Sequence, residues 1–426
     1  MGIRLARSLS LLAAVALVVG SLLAPARAAH PLIAALSKGE SVFWHGPYVK
    51  SLQKYRKAHD CEQRCFEYKL KIVEPGARLR VALDYPMGNE FINLRLKDPR
   101  GRTIKPGATG FYSQEIFVKR PRVGTWTVSV RPFSMSKSAF RLRAKLEDAP
   151  ARPAGRRILA PNLRLEPPFQ FTFRPPSTVV PVTYVQGGRP KETGSCGFDE
   201  MAEESARRCL RLSVGPQNAG AGPLELRFSP VTDAATGEAP MFQLVHYANG
   251  ATKERRAGTY EYHKTHGHYH FTGFARMDLF DVVDRESGEL ARAGKGHKSG
   301  FCFGDVMMNS WERFVHDRAA SSRSSCDDFT EAYMGLSTGW TDIYTWDTPG
   351  NYVEFGDNPD GYYVVRAQVD ARDTILETNE NDNVSYAYIH VQGDKVRVLE
   401  RGFGTDPWDP NKALVVDWVK ALTRRN

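Results

Sequence analysis

The sequence predicts an all-β dominated protein, with an N-terminal β-sandwich followed by a second β-rich domain that ends in a short helix. Three observations favour this fold class. Apolar residues alternate with polar ones in many short runs, turn residues separate the runs, and a stretch rich in Ala, Pro and Arg divides the chain near residues 151–157. Alternation with a period of two is typical of strands with one buried face.

Residues 1–28 have the composition of a secretory signal. Arg4 and Arg7 give a basic start, residues 9–23 are apolar, and Ala26-Arg27-Ala28 fits the small-x-small cleavage pattern. The apolar run is short for a full membrane span, and no second long apolar stretch follows it. We therefore expect a mature chain that begins near Ala29, is secreted or held in the cell envelope, and has no transmembrane span.

Residues 29–150 are expected to form an accessory β-sandwich. Residues 29 to about 60 have an irregular pattern with short helical stretches, and strand-like alternation begins after them. A turn signal runs from Asp98 to Gly101. No reactive cluster occurs in this part, so we expect it to be dispensable for chemistry. Its alternating apolar runs lie at 66–72, 79–83, 92–96, 126–130 and 140–146.

After the linker of residues 151–157, residues 158–395 are expected to form the second domain. Asp409 and Pro410, in a C-terminal tail of residues 396–426, have helix N-cap and first-turn chemistry. An amphipathic helix is predicted there from the helical spacing of Val415, Trp418, Val419 and Leu422. The alternating runs of the domain itself lie at 210–214, 224–228, 277–283, 362–369 and 384–391.

Six cysteines follow the signal, an even number suited to an oxidising compartment. Their order in the chain suggests three local pairs, Cys61–Cys65, Cys196–Cys209 and Cys302–Cys326. About 15 pairings of six cysteines exist, so this connectivity is a hypothesis. A zinc-thiolate site is the alternative, although the sequence contains no Cys-x2-Cys.

The formal net charge of +10 is unevenly distributed. Between Trp340 and Asp382 there are ten acidic residues against two arginines, a local net charge of −8, which leaves +18 for the remainder. A basic body favours contact with anionic cell-envelope polymers, and nothing indicates specific nucleic-acid binding. The acidic segment favours a cationic substrate.

Histidines are concentrated between Tyr260 and Cys302, which hold five of the eleven in the chain. Neutral imidazole is the usual protein ligand for copper and zinc. Alternation puts His266, His268 and His270 on one face of an extended segment. A straight strand would hold the outer two about 13 Å apart, at roughly 3.3 Å per residue, which is too far for one metal.

The segment must therefore curl, and Gly267 gives it the freedom to do so. His263 is either a hydrogen-bond partner of a ligand or a plain polar residue. A polar strand without a metal is the simpler alternative.

Four motifs of this domain resemble the catalytic domain of the lysyl oxidase family. The resemblance covers roughly residues 158–391 and includes the framework runs Asn218 to Leu226 and Glu377 to Val384. The motifs are Thr265-His266-Gly267-His268-Tyr269-His270, Gly296-His297-Lys298-Ser299-Gly300-Phe301-Cys302, Gly335-Leu336-Ser337-Thr338-Gly339 and Pro359-Asp360-Gly361-Tyr362-Tyr363.

The resemblance implies a secreted copper amine oxidase that converts primary amines or peptidyl lysine to aldehydes with dioxygen, releasing ammonia and hydrogen peroxide. It implies copper bound by His266, His268 and His270. It also implies a lysine tyrosylquinone cofactor made by cross-linking Lys298 to Tyr344. Asp342, two residues before this tyrosine, is the candidate general base.

The chain departs from the animal members of the family in two respects. Trp340 stands where they have a cysteine, and their further cysteines in that loop are missing. The N-terminal sandwich is not part of their pattern and suggests a bacterial-type secreted member.

Two other functions remain open at this stage. One is a non-catalytic copper-binding module of the cell envelope that has lost the cofactor. The other is a zinc hydrolase that uses the same histidines, with Glu261 as the carboxylate base. No His-Glu-x-x-His pattern supports the hydrolase.

Overall fold

The computed structural model describes residues 33–45, 66–85, 92–104, 108–109, 113–132, 140–147, 157–174, 184–186, 189–191, 195–196, 208–228, 238–263, 268–296, 298–308, 333–348 and 350–415. The regular structure of these residues is β-strand, which confirms the all-β prediction. No helix in these ranges has the length and apolar character needed to cross a membrane. The expected signal of residues 1–28 lies outside them.

The N-terminal strands include all five alternating runs of the sequence and five further strands. They are β1 (Ile33–Leu36), β2 (Ser41–His45), β3 (Phe66–Ile72), β4 (Arg78–Asp84), β5 (Ile92–Lys97), β6 (Thr103–Ile104), β7 (Ala108–Thr109), β8 (Ser113–Lys119), β9 (Gly124–Pro132) and β10 (Arg141–Glu147). β1 and β2 correct the expectation of an irregular segment from residue 29 to about 60, as far as residues 33–45 are concerned.

These strands form two five-stranded sheets, in the orders β1-β3-β9-β5-β6 and β2-β10-β4-β8-β7. The predicted turn between β5 and β6 is present, with Gly101 at a φ of 82° and its N–H donating to the Asp98 carbonyl. The two sheets enclose one core, whose members include Leu70, Ile72, Leu79, Val81, Leu83, Leu94, Trp126, Val128, Phe140 and Leu142.

The remaining strands begin after the expected linker. They are β11 (Ile158–Leu159), β12 (Leu163–Thr172), β13 (Tyr184–Gln186), β14 (Arg189–Lys191), β15 (Cys209–Asn218), β16 (Leu224–Phe228), β17 (Glu238–Tyr247), β18 (Thr252–His263), β19 (His268–Phe271), β20 (Ala275–Asp284), β21 (Glu289–Lys295), β22 (Met307–Met308), β23 (Tyr333–Leu336), β24 (Trp340–Thr341), β25 (Tyr352–Glu354), β26 (Gly361–Val369), β27 (Val384–Gln392), β28 (Lys395–Phe403) and β29 (Ala413–Leu414).

Three sheets and a hairpin, β13-β14, account for these strands. The sheet orders are β19-β18-β17-β16-β23 with β11 beside β17, β12-β15-β24-β22 with β25 beside β15, and β21-β20-β26-β27-β28-β29. They share one large core, which includes Leu212, Val214, Leu226, Phe271, Phe274, Met277, Leu279, Phe301, Phe303, Trp340, Val353, Tyr363 and Val365.

Every residue of β15 is buried, although its sequence alternates. Leu210, Leu212 and Val214 face the core, as the alternation predicts. The opposite face is covered by the loop after β24. Arg211 on that face is fully buried and donates hydrogen bonds to the backbone carbonyls of Trp346 and Thr348, both at 2.8 Å. The strand therefore anchors the loop.

The C-terminal sheet continues past residue 395, because β28 pairs with β27 and β29 pairs with β28. The predicted helix does not begin at Asp409. Its carboxylate instead accepts hydrogen bonds from the backbone N–H groups of Thr405 and Asn411, which closes a turn that leads into β29. Turn and N-cap chemistry use the same short acidic side chain, so the two are easily confused. Trp418, Val419 and Leu422 lie outside the described residues.

The expected disulfide between Cys196 and Cys209 is confirmed. It is buried beside Tyr352, at the start of β15. Cys302 is disulfide-bonded as well. Cys61, Cys65 and Cys326 lie outside the described residues, so the other two predicted pairs stay predictions.

Candidate active site

Lys298 is held beside the strand that carries the histidine motif. The backbone of residues 298–301 runs next to β19 and β20, with the Phe271 N–H donating to the Phe301 carbonyl at 2.9 Å and the Ala275 N–H to the Ser299 carbonyl at 3.0 Å. The Lys298 side chain is only 6% exposed. A lysine this deep in a protein needs a specific environment, since burial disfavours its charge.

Tyr344 is clamped to β15 by its own backbone. It exchanges two hydrogen bonds with Val214, at 2.8 and 3.0 Å, and the Asp342 N–H donates to the Pro216 carbonyl at 2.9 Å. The intervening Gly215 permits this approach, because a Cβ atom there would lie 2.1 Å from the Asp342 carbonyl oxygen. The glycine and the ladder together fix the spacing between Asp342 and Tyr344.

The Lys298 amine lies over the Tyr344 ring. Its Nζ atom is 4.2 Å from the centroid of that ring and 4.9 Å from the centroid of the Phe301 ring. The two rings meet edge to face, with centroids 5.0 Å apart and an interplanar angle of 90°. A cation held against two aromatic faces is stabilised by their quadrupoles. Phe301 thus keeps both the amine and the tyrosine in place.

The Tyr344 hydroxyl is bonded to the backbone of Cys302. It donates to the Cys302 carbonyl at 2.6 Å, and the Tyr344 hydroxyl oxygen accepts the Cys302 N–H at 3.1 Å. Burial, with the nearby Asp342 carboxylate, raises the pKa of the Tyr344 hydroxyl well above its usual range. The ring therefore keeps its phenolic proton at neutral pH in the unmodified chain.

Lys298 and Asp342 are a buried pair of opposite charge. Burial lowers the pKa of the Lys298 ammonium from 10.5 to about 8, and the Asp342 carboxylate opposes that shift. Burial also raises the pKa of the Asp342 carboxyl well above its usual range, against the opposing effects of the Lys298 ammonium and the nearby Tyr344 hydroxyl. Asp305, a second buried carboxylate, raises the pKa of Asp342 further. The charge of each partner thus opposes the effect that burial has on the pKa of the other.

One oxygen of Asp342 is available for chemistry. Its Oδ2 atom is buried and has no hydrogen-bond partner among the described residues. Asp305 is engaged differently, because its Oδ1 atom accepts the Ser337 N–H at 2.8 Å. Of these two neighbouring carboxylates, Asp342 is the one with an atom free to accept a proton.

The histidine motif is only partly described. His270 is buried on β19, four percent exposed, and packs against Gly300 of the lysine motif. The His268 backbone pairs with His263 across β18 and β19. His266 and the side chains of His263 and His268 lie outside the described residues. The three-histidine metal site therefore stays a prediction.

The structure brings Lys298, Asp342 and Tyr344 together, and the catalytic and cofactor roles expected for them stay predictions. It adds Phe301, the Cys302 backbone and Asp305, which the sequence did not single out. Phe301 lies in the Gly-His-Lys motif, but alternation cannot tell an apolar residue that covers a cation from one that only fills the core. A backbone acceptor such as Cys302 leaves no side-chain signal at all.

The family comparison covers all of these residues. Residues 245–400 match the family model described as lysyl oxidase. Human lysyl oxidase homolog 1 is 28% identical over 135 residues, which are 32% of this chain and 21% of that protein. Protein-lysine 6-oxidase of Sus scrofa is 27% identical over 136 residues, 32% of this chain and 48% of the relative. The chain thus spans between about a fifth and a half of these two relatives.

Among solved structures, the Bacillus licheniformis lipase BlEst2 in its propeptide form matches 54% of this chain and 41% of its own, with 14% identity. The TM-score is 0.17, and this likeness supports no conclusion about fold or function.

Proposed function

Residues 245–400 belong to the lysyl oxidase family, and from that premise we propose that the protein is a copper-dependent amine oxidase whose organic cofactor is made from Lys298 and Tyr344. One observation carries the proposal. The Lys298 Nζ atom lies 4.2 Å from the centroid of the Tyr344 ring in a buried site. An amine in this position is close to the ring carbon to which it would bond.

Cross-linking would join Nζ to the ring and would consume two molecules of dioxygen. One oxygen atom enters the ring and its partner leaves as water. Nζ then bonds to the ring in place of a second ring hydrogen. The second dioxygen takes two electrons and two protons from the ring and leaves as hydrogen peroxide. The product is a quinone linked through a secondary amine. Lys298 must be neutral to form this bond, and its pKa of about 8 makes that form accessible near neutral pH.

Copper would catalyse the oxidation of the ring, with His266, His268 and His270 as its proposed ligands. What supports this is the packing of His270 against Gly300, two residues from Lys298. Nitrogen ligands of this kind suit copper. The metal and the cross-linked pair would then lie on adjacent segments of the chain.

The mature cofactor would accept two electrons from the substrate amine, and dioxygen would reoxidise the cofactor. Asp342 is the proposed base that removes the proton from the carbon next to the amine, through its free Oδ2 atom. Cross-linking also turns the Lys298 ammonium into an uncharged nitrogen. The carboxylate then loses the charge that opposed its burial, so it binds a proton more strongly.

The proposed substrates are primary amines or peptidyl lysine, as the name of the relative protein-lysine 6-oxidase suggests. Export is proposed as well, because the Cys196–Cys209 disulfide suits an oxidising compartment and residues 1–28 have the pattern of a signal. The net charge of +10 favours an anionic envelope polymer as a contact.

Peptide mass spectrometry tests the proposal. Protein matured with copper in air should yield one cross-linked species containing Lys298 and Tyr344, together with quinone absorbance and amine oxidase activity. Lys298→Arg and Tyr344→Phe should each lack all three, since neither variant can form the bond. Separate unmodified peptides from a fully active sample would refute the cofactor assignment. The same peptides from an inactive, copper-loaded sample would favour the non-catalytic module instead.

A further inference from the structure

Part of the outer face of the second sandwich sheet, formed by residues of β4 and β8, is buried. In β4 the inward residues Leu79, Val81 and Leu83 fill the sandwich core, so the residues between them point away from it. Those outward residues should meet solvent, yet none does. Arg80, Ala82 and Asp84 of β4 and Ser113 and Glu115 of β8 are all between 0% and 2% exposed.

Met308 of β22 is in contact with this face. Its backbone N–H donates to the Ser113 hydroxyl at 2.8 Å, and an Arg80 Nη atom lies 3.7 Å from its sulfur. Ala82 belongs to the apolar core of the second part of the chain, not to that of the sandwich. The sandwich is therefore docked on the sheet that contains the active-site loop.

The charges on this face fit a permanent contact. Arg80 forms an ion pair with Glu115 in which both side chains are almost fully buried. The Ser113 hydroxyl in turn donates to Asp84 at 3.2 Å, and Asp84 pairs with Arg141 at 2.9 Å. A buried ion pair is tolerated only where its surroundings stay in place, because removing one partner leaves an uncompensated charge.

From Met308 the contact leads to the active site in two steps. Met307 and Met308 pair with Thr341 and Trp340 of β24, and the Val306 N–H donates to the Thr341 carbonyl at 3.1 Å. Asp342 follows Thr341 directly. The strand that Ser113 holds, β22, is therefore paired with β24, the strand that leads directly into Asp342.

We infer that the N-terminal sandwich supports the active site from behind β22, and that Ser113 is a positioning residue whose hydroxyl holds β22 and, through the β22–β24 pairing, the place of Asp342. This inference rests on the proposed function for its catalytic consequence. The alternating sequence of residues 29–150 predicts a dispensable accessory module, and the contact at Met308 gives that module a different role.

Ser113→Ala in the full chain tests the inference, with Ser129→Ala as its matched control. Ser129 is also buried in a sandwich strand and also bonds a carboxylate, that of Glu67, but it lies on the other sheet. Ser113→Ala leaves the Met308 N–H without its acceptor. We expect a drop of about tenfold in kcat with an unchanged KM, and full activity for Ser129→Ala.

Hydrogen–deuterium exchange gives a second readout that does not depend on activity. In the unaltered protein the amides of residues 306–308 and 340–342 should exchange as slowly as core strands. Ser113→Ala should accelerate exchange in both segments, and Ser129→Ala in neither. Rapid exchange at Met308 in the unaltered protein would overturn the inference, even where the variant fails to fold.

Equal losses of kcat in Ser113→Ala and Ser129→Ala would also overturn the inference, because they would reflect a general loss of stability of the sandwich. A protein that forms no cross-link and oxidises no amine would instead refute the proposed function. In that case the exchange data would still decide whether Ser113 holds β22.

Discussion

Gly300 lies so close to His270 that a Cβ atom on the glycine would be 2.9 Å from the His270 Cβ. It would also lie 3.2 Å from the Phe271 carbonyl oxygen and 3.3 Å from His270 Nδ1. The two segments therefore pack with no side chain between them. Lys298 and the proposed copper ligand His270 stand on either side of this contact.

Gly300→Ala should push these segments apart. We expect a destabilisation of about 1–3 kcal/mol, a lower yield of the Lys298–Tyr344 cross-link and less bound copper, because the added methyl group has no room. Gly361→Ala is the control, since its nearest neighbour, Tyr363, would lie at an ordinary 3.7 Å. Thermal unfolding, copper analysis and peptide mass spectrometry measure the three effects. An alanine variant with unchanged values for all of them would contradict the close packing.

The rate of cross-linking should rise with pH and reach half its maximum near pH 8. Burial lowers the pKa of the Lys298 ammonium to about 8, and only the neutral amine can bond to the ring. At pH 7 about a tenth of the lysine is then neutral, against well under a thousandth for an ordinary lysine. Time courses of the cross-linked peptide at a series of pH values measure this. A midpoint near 10.5, the ordinary pKa of a lysine, would show that Lys298 is not buried before the reaction.

Asp342→Asn should separate two effects of the carboxylate. Turnover should fall by about 10²–10⁴, as is usual when a general base is removed. The cross-link should still form, with its pH midpoint moved below that of the unaltered protein, because the carboxylate no longer supports the Lys298 ammonium against burial. Asp394→Asn, at an 87% exposed side chain, should change neither property. Turnover within tenfold of the original would remove Asp342 from the role of base.

Glu147 should make the sandwich less stable as pH rises. This buried carboxyl has a pKa raised from 4.5 to about 7 by burial, in spite of Arg78 and Arg80 nearby. The folded chain therefore binds its proton more tightly than the unfolded chain. The stabilisation is complete below pH 4.5 and is lost as pH rises through about 7.

Glu147→Gln removes this titration. At pH 8 the variant should be more stable than the original by roughly 3 kcal/mol, and at pH 4 the two should be alike. Glu67→Gln serves as the control, because the Glu67 side chain is exposed. Denaturant unfolding at a series of pH values measures the difference, and parallel stability curves for the original and Glu147→Gln would contradict it.

The sequence predicted the strands whose two faces differ. In β3, the alternation from Phe66 to Ile72 marks a strand that has a core face and a polar face. It could not predict where the polar face of a strand is covered by another part of the chain. Arg80 and Ser113 have the spacing of solvent-facing residues and are buried all the same, because β22 lies over them.

Some residues of the candidate site could be predicted from the sequence and others could not. Lys298, Asp342 and Tyr344 were accessible to sequence reasoning because each lies in or beside a recognisable motif. The roles of Phe301 and the Cys302 carbonyl could not be predicted, because they depend on a distance between two segments that no local sequence pattern encodes. The missing loop cysteines of the animal family cast doubt on the position of Tyr344. In this chain the backbone ladder with Val214 and the close approach at Gly215 hold that position instead.

The contact between Ser113 and Met308 also has a consequence for the order of folding. It joins residues 195 positions apart, and the bond between Leu163 and Glu377 joins residues 214 apart. Contacts of such long range form late, after most of the chain has been synthesised and its local hairpins have closed. An incomplete chain accordingly does not hold an amine against a tyrosine ring. Under the proposed function, cross-linking would therefore be confined to molecules that have finished folding, and partly folded chains would not form a reactive quinone.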